Sequence, residues 1–152
     1  MGFQLLRDPA SQLKPVGLTA QAGVAAGTGD NTELTSAAID RMIAGGAGFQ
    51  GAAFVANYVT TLTAAATLKI TVKIADSDDG STFGSDTTLA TAVTLATGAQ
   101  TALAGAYELG IDLSSYKRYL RFKVTMDLSA GSADTFVYGA GLVLSGSDVL
   151  PA

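Results

Sequence analysis

Cysteine and histidine are both absent from the 152 residues. Without cysteine there is no thiol nucleophile, no Cys-ligated zinc and no disulfide framework. Without histidine the chain lacks the usual general base, the usual transition-metal ligand and the usual sensor of neutral pH. Tryptophan is missing as well, and Glu33 and Glu108 are the only glutamates. Charged residues make up 14% of the chain, against about 25% in an average soluble protein. Thirteen acidic residues against nine basic ones leave a formal charge of -4. Phosphate neutralisation needs the opposite sign, so nucleic acid is not an expected partner. A surface so poor in charge is expected to be covered in part by other subunits.

Long hydrophobic runs are also missing. The uncharged stretch from Met42 to Leu68 is interrupted by Gly45, Gly46, Gly48, Gln50, Gly51 and Asn57, which argues against a membrane span. Asp8, Pro9, Lys14 and Pro15 break any signal-peptide core, and Leu6 stands where a myristoylation signal needs Ser or Thr. The expectation is a soluble protein made inside the cell, with no membrane partner.

What the sequence does contain is alternation. Leu68-Lys69-Ile70-Thr71-Val72-Lys73-Ile74 and Tyr119-Leu120-Arg121-Phe122-Lys123-Val124-Thr125-Met126 each place apolar residues at every second position. Side chains along a strand point to opposite faces with that period. Leu68, Ile70, Val72 and Ile74 are therefore expected in a core, with Leu120, Phe122, Val124 and Met126. About eight strand candidates follow one another, over 17–25, 34–43, 51–62, 66–76, 87–96, 101–110, 118–127 and 134–145, at the spacing of a sandwich or barrel. Turn signals such as Asp78-Asp79-Gly80-Ser81 and Thr97-Gly98 separate most of them. Phe136 to Leu144 is apolar on both faces and reads as a central strand, its Gly139 and Gly141 approached closely by another backbone. Residues 36–44 have the propensity for a short helix, and 87–104 lack a clear period. Residues 1–16 are apolar but broken by Pro9 and Pro15, an extended arm ahead of a single β-sandwich domain over 17–152.

Candidate chemistry is sparse. Asp76-Ser77-Asp78-Asp79-Gly80 resembles a calcium loop, but Gly80 falls at the fifth position and Thr87 at the twelfth, where an EF-hand needs an oxygen ligand and a glutamate. A hairpin turn accounts for it better. Gly46-Ala47-Gly48-Phe49-Gln50-Gly51 spells G-x-G-x-x-G, yet a strand pattern follows where dinucleotide binding needs a helix. Lys117, Arg118, Arg121 and Lys123 form the one basic cluster, with Arg121 and Lys123 on the same strand face as Tyr119. They read as a solvated face or as partners for acidic groups on another protein. No activated-serine motif is present, and no carboxylate pair stands in a recognisable catalytic context. No enzyme activity, cofactor or metal is expected.

Several phrases in order carry a resemblance: Ser36-Ala37-Ala38-Ile39-Asp40-Arg41, Gly48-Phe49-Gln50-Gly51-Ala52, Ser77-Asp78-Asp79-Gly80-Ser81-Thr82-Phe83, Asp112-Leu113 leading to Lys117-Arg118-Tyr119-Leu120-Arg121, and Leu142 to Pro151. Together they resemble the jelly-roll cement or decoration proteins of tailed bacteriophages. The resemblance implies an antiparallel β-sandwich of jelly-roll type, assembled as a homotrimer on the outside of an icosahedral shell. Its partners would be the major capsid protein and itself, and it would be made in the host cytoplasm and end on the virion's outer surface. Expected contact residues are Phe3, Leu5, Leu6 and Arg7 of the arm, Asp40 and Arg41 (across a subunit boundary or paired locally), Arg121 and Lys123, and Val149 and Leu150 of the tail. Two alternatives stay open: another virion β-domain of tail tube, connector or fibre, or a carbohydrate-binding sandwich, for which tryptophan platforms are absent.

Overall fold

The computed structural model describes residues 13–27, 30–42, 48–129 and 133–147. These hold nine strands: β1 (Lys14–Ala25), β2 (Glu33–Thr35), β3 (Ile39–Asp40), β4 (Phe49–Leu62), β5 (Thr67–Ser77), β6 (Thr87–Thr97), β7 (Gln100–Asp112), β8 (Tyr119–Leu128) and β9 (Thr135–Ser147). All pairings are antiparallel. One sheet has the order β1-β9-β4-β7 and the other β2-β8-β5-β6, with β3 also on β8. Counting β2 and β3 as one interrupted strand, the first strand pairs with the last, the second with the seventh, the third with the sixth and the fourth with the fifth. A long hairpin rolled up on itself produces this order, and that is a jelly roll.

The two alternating segments build the centre of the second sheet. Ile70 pairs with Met126, Val72 with Val124 and Ile74 with Phe122, and all six are fully buried. Across the sandwich Phe54 of β4 stacks on Phe122, ring centroids 6.4 Å apart, and meets Tyr107 of β7 edge-on at the same separation. The inward residues of β9, Phe136, Tyr138, Ala140, Leu142 and Leu144, close the core from the first sheet. Period-two burial on both sheets places the core between them.

Departures from the expected strands have physical causes. β1 begins at Lys14, so Pro15 and Val16 belong to the sheet. The span 34–43 is divided because Ser36 donates its N–H to the Phe122 carbonyl while its Oγ accepts the Phe122 N–H. That side-chain bond replaces a ladder bond and holds 36–42 extended against β8, so the short helix does not form over those residues. β9 is central, as expected, but the close backbone approach at its glycines holds only at Gly141, where an added Cβ would stand 3.4 Å from the Val16 carbonyl. Nothing lies within 4 Å of a Cβ at Gly139. Gly139 faces outward, and its missing side chain opens a hollow on the sheet surface. The aperiodic stretch 87–104 is two edge strands, each with an alanine at positive φ, Ala92 (46°) and Ala102 (48°). Register shifts in β5/β6 and β4/β7 lie beside them, and Thr71 and Thr61 hydroxyls accept the freed Ala92 and Ala102 N–H groups. Such irregularities interrupt a flat edge that would otherwise template pairing with other chains.

Candidate functional site

The outer face of the second sheet carries a cluster of ion pairs. Lys73 meets Glu33 at 2.7 Å, and Lys123 meets Glu33 at 3.4 Å and Asp86 at 2.6 Å. The Lys73 hydrogen bond chiefly holds Glu33 below the usual carboxylate range, and the bond to Asp86 raises Lys123. Arg121 lies with its guanidinium carbon 4.2 Å from the centre of the Phe83 ring. Arg121, Lys123 and Tyr119 share this face, as expected. Lys123 is already paired within the chain, and Arg121 is stacked.

Asp40 and Arg41 sit together at the corner where β3 meets β8, but they serve different partners. Arg118 takes Asp40 through Nε and Nη2, the latter at 2.7 Å, and this hydrogen bonding holds Asp40 below its usual range. Arg41 donates to the carbonyls of Lys117 and Phe49 at 2.9 Å each, and to that of Tyr116. Its planar fork thus ties the loop before β8 to the start of β4. Both charges are satisfied locally. Phe3, Leu5, Leu6, Arg7, Val149 and Leu150 lie outside the described residues.

Asp76 and Ser77 end β5, and Asp78 to Thr82 form the bend that follows. Asp79 accepts the N–H groups of Ser81 and Thr82 at 2.8 Å each, and the Ser77 hydroxyl donates to the same oxygen. Those donors, Thr82 first, hold Asp79 far below the usual carboxylate range. Gly80 takes φ +75°, and a Cβ added there would stand 3.1 Å from the Tyr119 ring, while Asp78 pairs with the Lys117 ammonium. The carboxylates are oriented by backbone and lysine. Among the described residues no three His, Cys, Asp or Glu side chains converge as metal ligands. The G-x-G-x-x-G segment runs into β4, a strand.

The outer face of the first sheet is different in kind, and composition alone did not single it out. Cross-strand register sets Pro15, Val143, Ala53 and Gly110 in one row and Gly17, Gly141, Val55 and Glu108 in the next. Ala20, Gly139, Asn57 and Ala106 form the third, and Val137, Val59 and Ala104 the fourth. Glu108 is the one ionisable side chain in these rows. Val59 and Val137, directly opposite one another, are 44% and 45% exposed, and with Leu13 they are the exposed large hydrophobics among the described residues. The signal in the sequence was the run of small and β-branched residues at alternate positions of 53–59 and 137–143.

The described residues therefore present one sheet face laced with ion pairs and another that is nearly uncharged. Neither gathers a nucleophile, base and oxyanion donor. Both suit protein contact.

No protein-family model matches the chain, and no curated protein does. Among solved structures it is similar to that of infectious bursal disease virus Gx strain, with TM-score 0.50 and 12% identity over 91% of this chain and 34% of that one. It is similar in the same degree to the VP2 subviral particle of infectious bursal disease virus, TM-score 0.50, 11% identity, 90% of this chain and 33% of the other. PBSX exported protein XepA aligns at TM-score 0.45 and 22% identity, over 91% and 39%. The chain spans about a third of the length of the two virus chains. The likeness is one of fold.

Proposed function

We propose that this chain is a structural virion protein that binds the outside of an icosahedral phage capsid, contacts the major capsid protein and bridges neighbouring capsomers. The observation that carries this reading is a jelly-roll sandwich with two broad faces of opposite character and no convergent reactive groups among its described residues. A fold shared with a chain of a virus particle supports it. The mechanism is multivalent clamping: each added contact on the shell raises the effective concentration for the next, so modest interfaces sum to tight retention. Self-association belongs to the same reading, and the phage resemblance implies threefold closure. In this reading Phe3, Leu5 and Leu6 of the arm and Val149 and Leu150 of the tail supply apolar groups for docking, and Arg7, Arg121 and Lys123 supply cations.

Quantitative mass spectrometry of purified particles tests the reading. A copy number near that of the major capsid protein is the expected result. A few copies per particle would move the chain to a tail, connector or fibre, and absence from particles would refute a virion role. Deleting residues 1–12 should weaken retention on shells, and unchanged retention would remove the arm.

A further inference from the structure

We propose that the nearly uncharged outer face of the β1-β9-β4-β7 sheet binds the same face of a second copy of this chain, about a two-fold axis that lies in the interface and crosses the strands at Tyr58 and Tyr138. Val59 and Val137 stand side by side on paired strands as an exposed ridge. Two residues along the same strands are Asn57 and Gly139, again a register pair. A hollow opens there, bordered by Asn57, Val59, Ala104, Val137 and Gly139, and a second adjoins it over Gly17 and Ala20. Knob and hollow are thus offset by two residues, about 7 Å along the strands. Tyr58 and Tyr138, mutually paired and pointing inward, mark the midpoint. Rotation by half a turn about an axis through that midpoint carries the valine ridge of one copy onto the Gly139 hollow of the other, and the reverse. The patch is its own complement, which is the requirement of an isologous contact.

Charge permits the same arrangement. Glu108 lies opposite Val55, three residues from Tyr58 along the strand direction. The rotation puts the two Glu108 carboxylates about 20 Å apart at the open β7 edge, beyond the roughly 8 Å screening length of physiological salt. The opposite sheet, with its ion pairs at Lys73 and Lys123, would bury charge if stacked in this way. Four strands at about 4.8 Å spacing and four to five rows of outward residues give about 600 Å² per copy, the lower bound for a specific pair. The expected association is therefore reversible and dependent on concentration. Any threefold contact must use other surfaces, because a self-complementary patch closes with two copies.

The test is sedimentation equilibrium of the full chain from about 1 µM to about 300 µM, with circular dichroism as the check on folding. The wild type should move from the 15.3 kDa chain mass toward twice that mass. Gly139→Val fills the hollow, and an added Cβ there meets nothing within 4 Å in the folded chain. It should keep its spectrum and associate about a hundredfold more weakly, a loss of about 2.7 kcal/mol. Val137→Asp should do the same from the ridge side, while Lys69→Ala on the opposite sheet should match the wild type. A wild type that stays at the chain mass throughout overturns the proposal, as does pairing that survives both variants. A species of three chains abolished by Gly139→Val would also overturn it. So would a monomer whose retention on shells is lost in both variants, since that result assigns the face to the shell protein.

Discussion

Gly105→Ala is the sharpest test of the packing, because elementary rules and the structure give opposite signs. Replacing a strand glycine by alanine at a compatible backbone angle usually stabilises by about 0.4–1 kcal/mol, through the entropy of the unfolded chain. Gly105 has no positive φ, so nothing in its backbone forbids the change. Its added Cβ, however, would lie 2.4 Å from the Tyr58 hydroxyl oxygen and 2.5 Å from Cζ. Tyr58 is 8% exposed and donates its hydroxyl to the Leu95 carbonyl at 3.0 Å. The ring has to move, and moving it breaks that bond. Overpacking of this kind costs about 1–3 kcal/mol and a lost buried hydrogen bond about 1 kcal/mol more. The net expectation, after the entropic gain is subtracted, is destabilisation by about 2 kcal/mol, or about 6 °C in Tm for a domain of this size. Gly110→Ala provides the contrast on the same strand: nothing lies within 4 Å of its Cβ, and it should be neutral or slightly stabilising. Urea denaturation of both variants reads the difference. A cycle with Tyr58→Leu should return most of the Gly105→Ala penalty, because the clashing atoms are then gone. Equal midpoints for Gly105→Ala and Gly110→Ala would refute the assigned contact between β7 and Tyr58.

Phe54→Ala removes a fully buried ring that contacts Phe122 and Tyr107 and should cost about 4 kcal/mol, whereas Val55→Ala, on the outer face, should cost under about 1 kcal/mol; equal losses in thermal unfolding would show that the inward and outward assignment is wrong. Arg41→Lys replaces a fork serving three carbonyls by a point charge and should lose about 2 kcal/mol in denaturant titration. Acid should destabilise the fold: Glu33, Asp40, Asp79 and Asp112 are all held below their ordinary values by hydrogen bonds from Lys73, from Arg118, from the Thr82 N–H and from the Ser114 N–H respectively. Carboxyls depressed in the folded state contribute stability that is complete above their unfolded values, near 4.5 for Glu and 3.8 for Asp, and is lost as pH falls below them. Tm should be level from pH 7 to about pH 5 and then fall, less steeply in Asp79→Asn; a Tm that does not fall below pH 4 would contradict the turn geometry.

The amino-acid sequence by itself determined the class of the fold and the buried side of β5 and β8. A period of two is a local property, so Ile70, Val72, Phe122 and Val124 could be assigned to the core without knowing their neighbours. The Asp78-Asp79-Gly80 turn was equally legible, because the carboxylate that orders it and the glycine at positive φ lie within a few residues. Tertiary structure decided everything that depends on register. Asp40 pairs with Arg118, 78 residues away, and not with its sequence neighbour Arg41. Ala92 and Ala102 carry bulges that no propensity marks, and their phase shifts erased the period over 87–104. The nearly uncharged face itself arises only when β1, β9, β4 and β7 are set side by side, since each strand alone shows just a few small residues. Long-range antiparallel pairing brings these residues into rows, and its register is settled by the packing of both sheets at once.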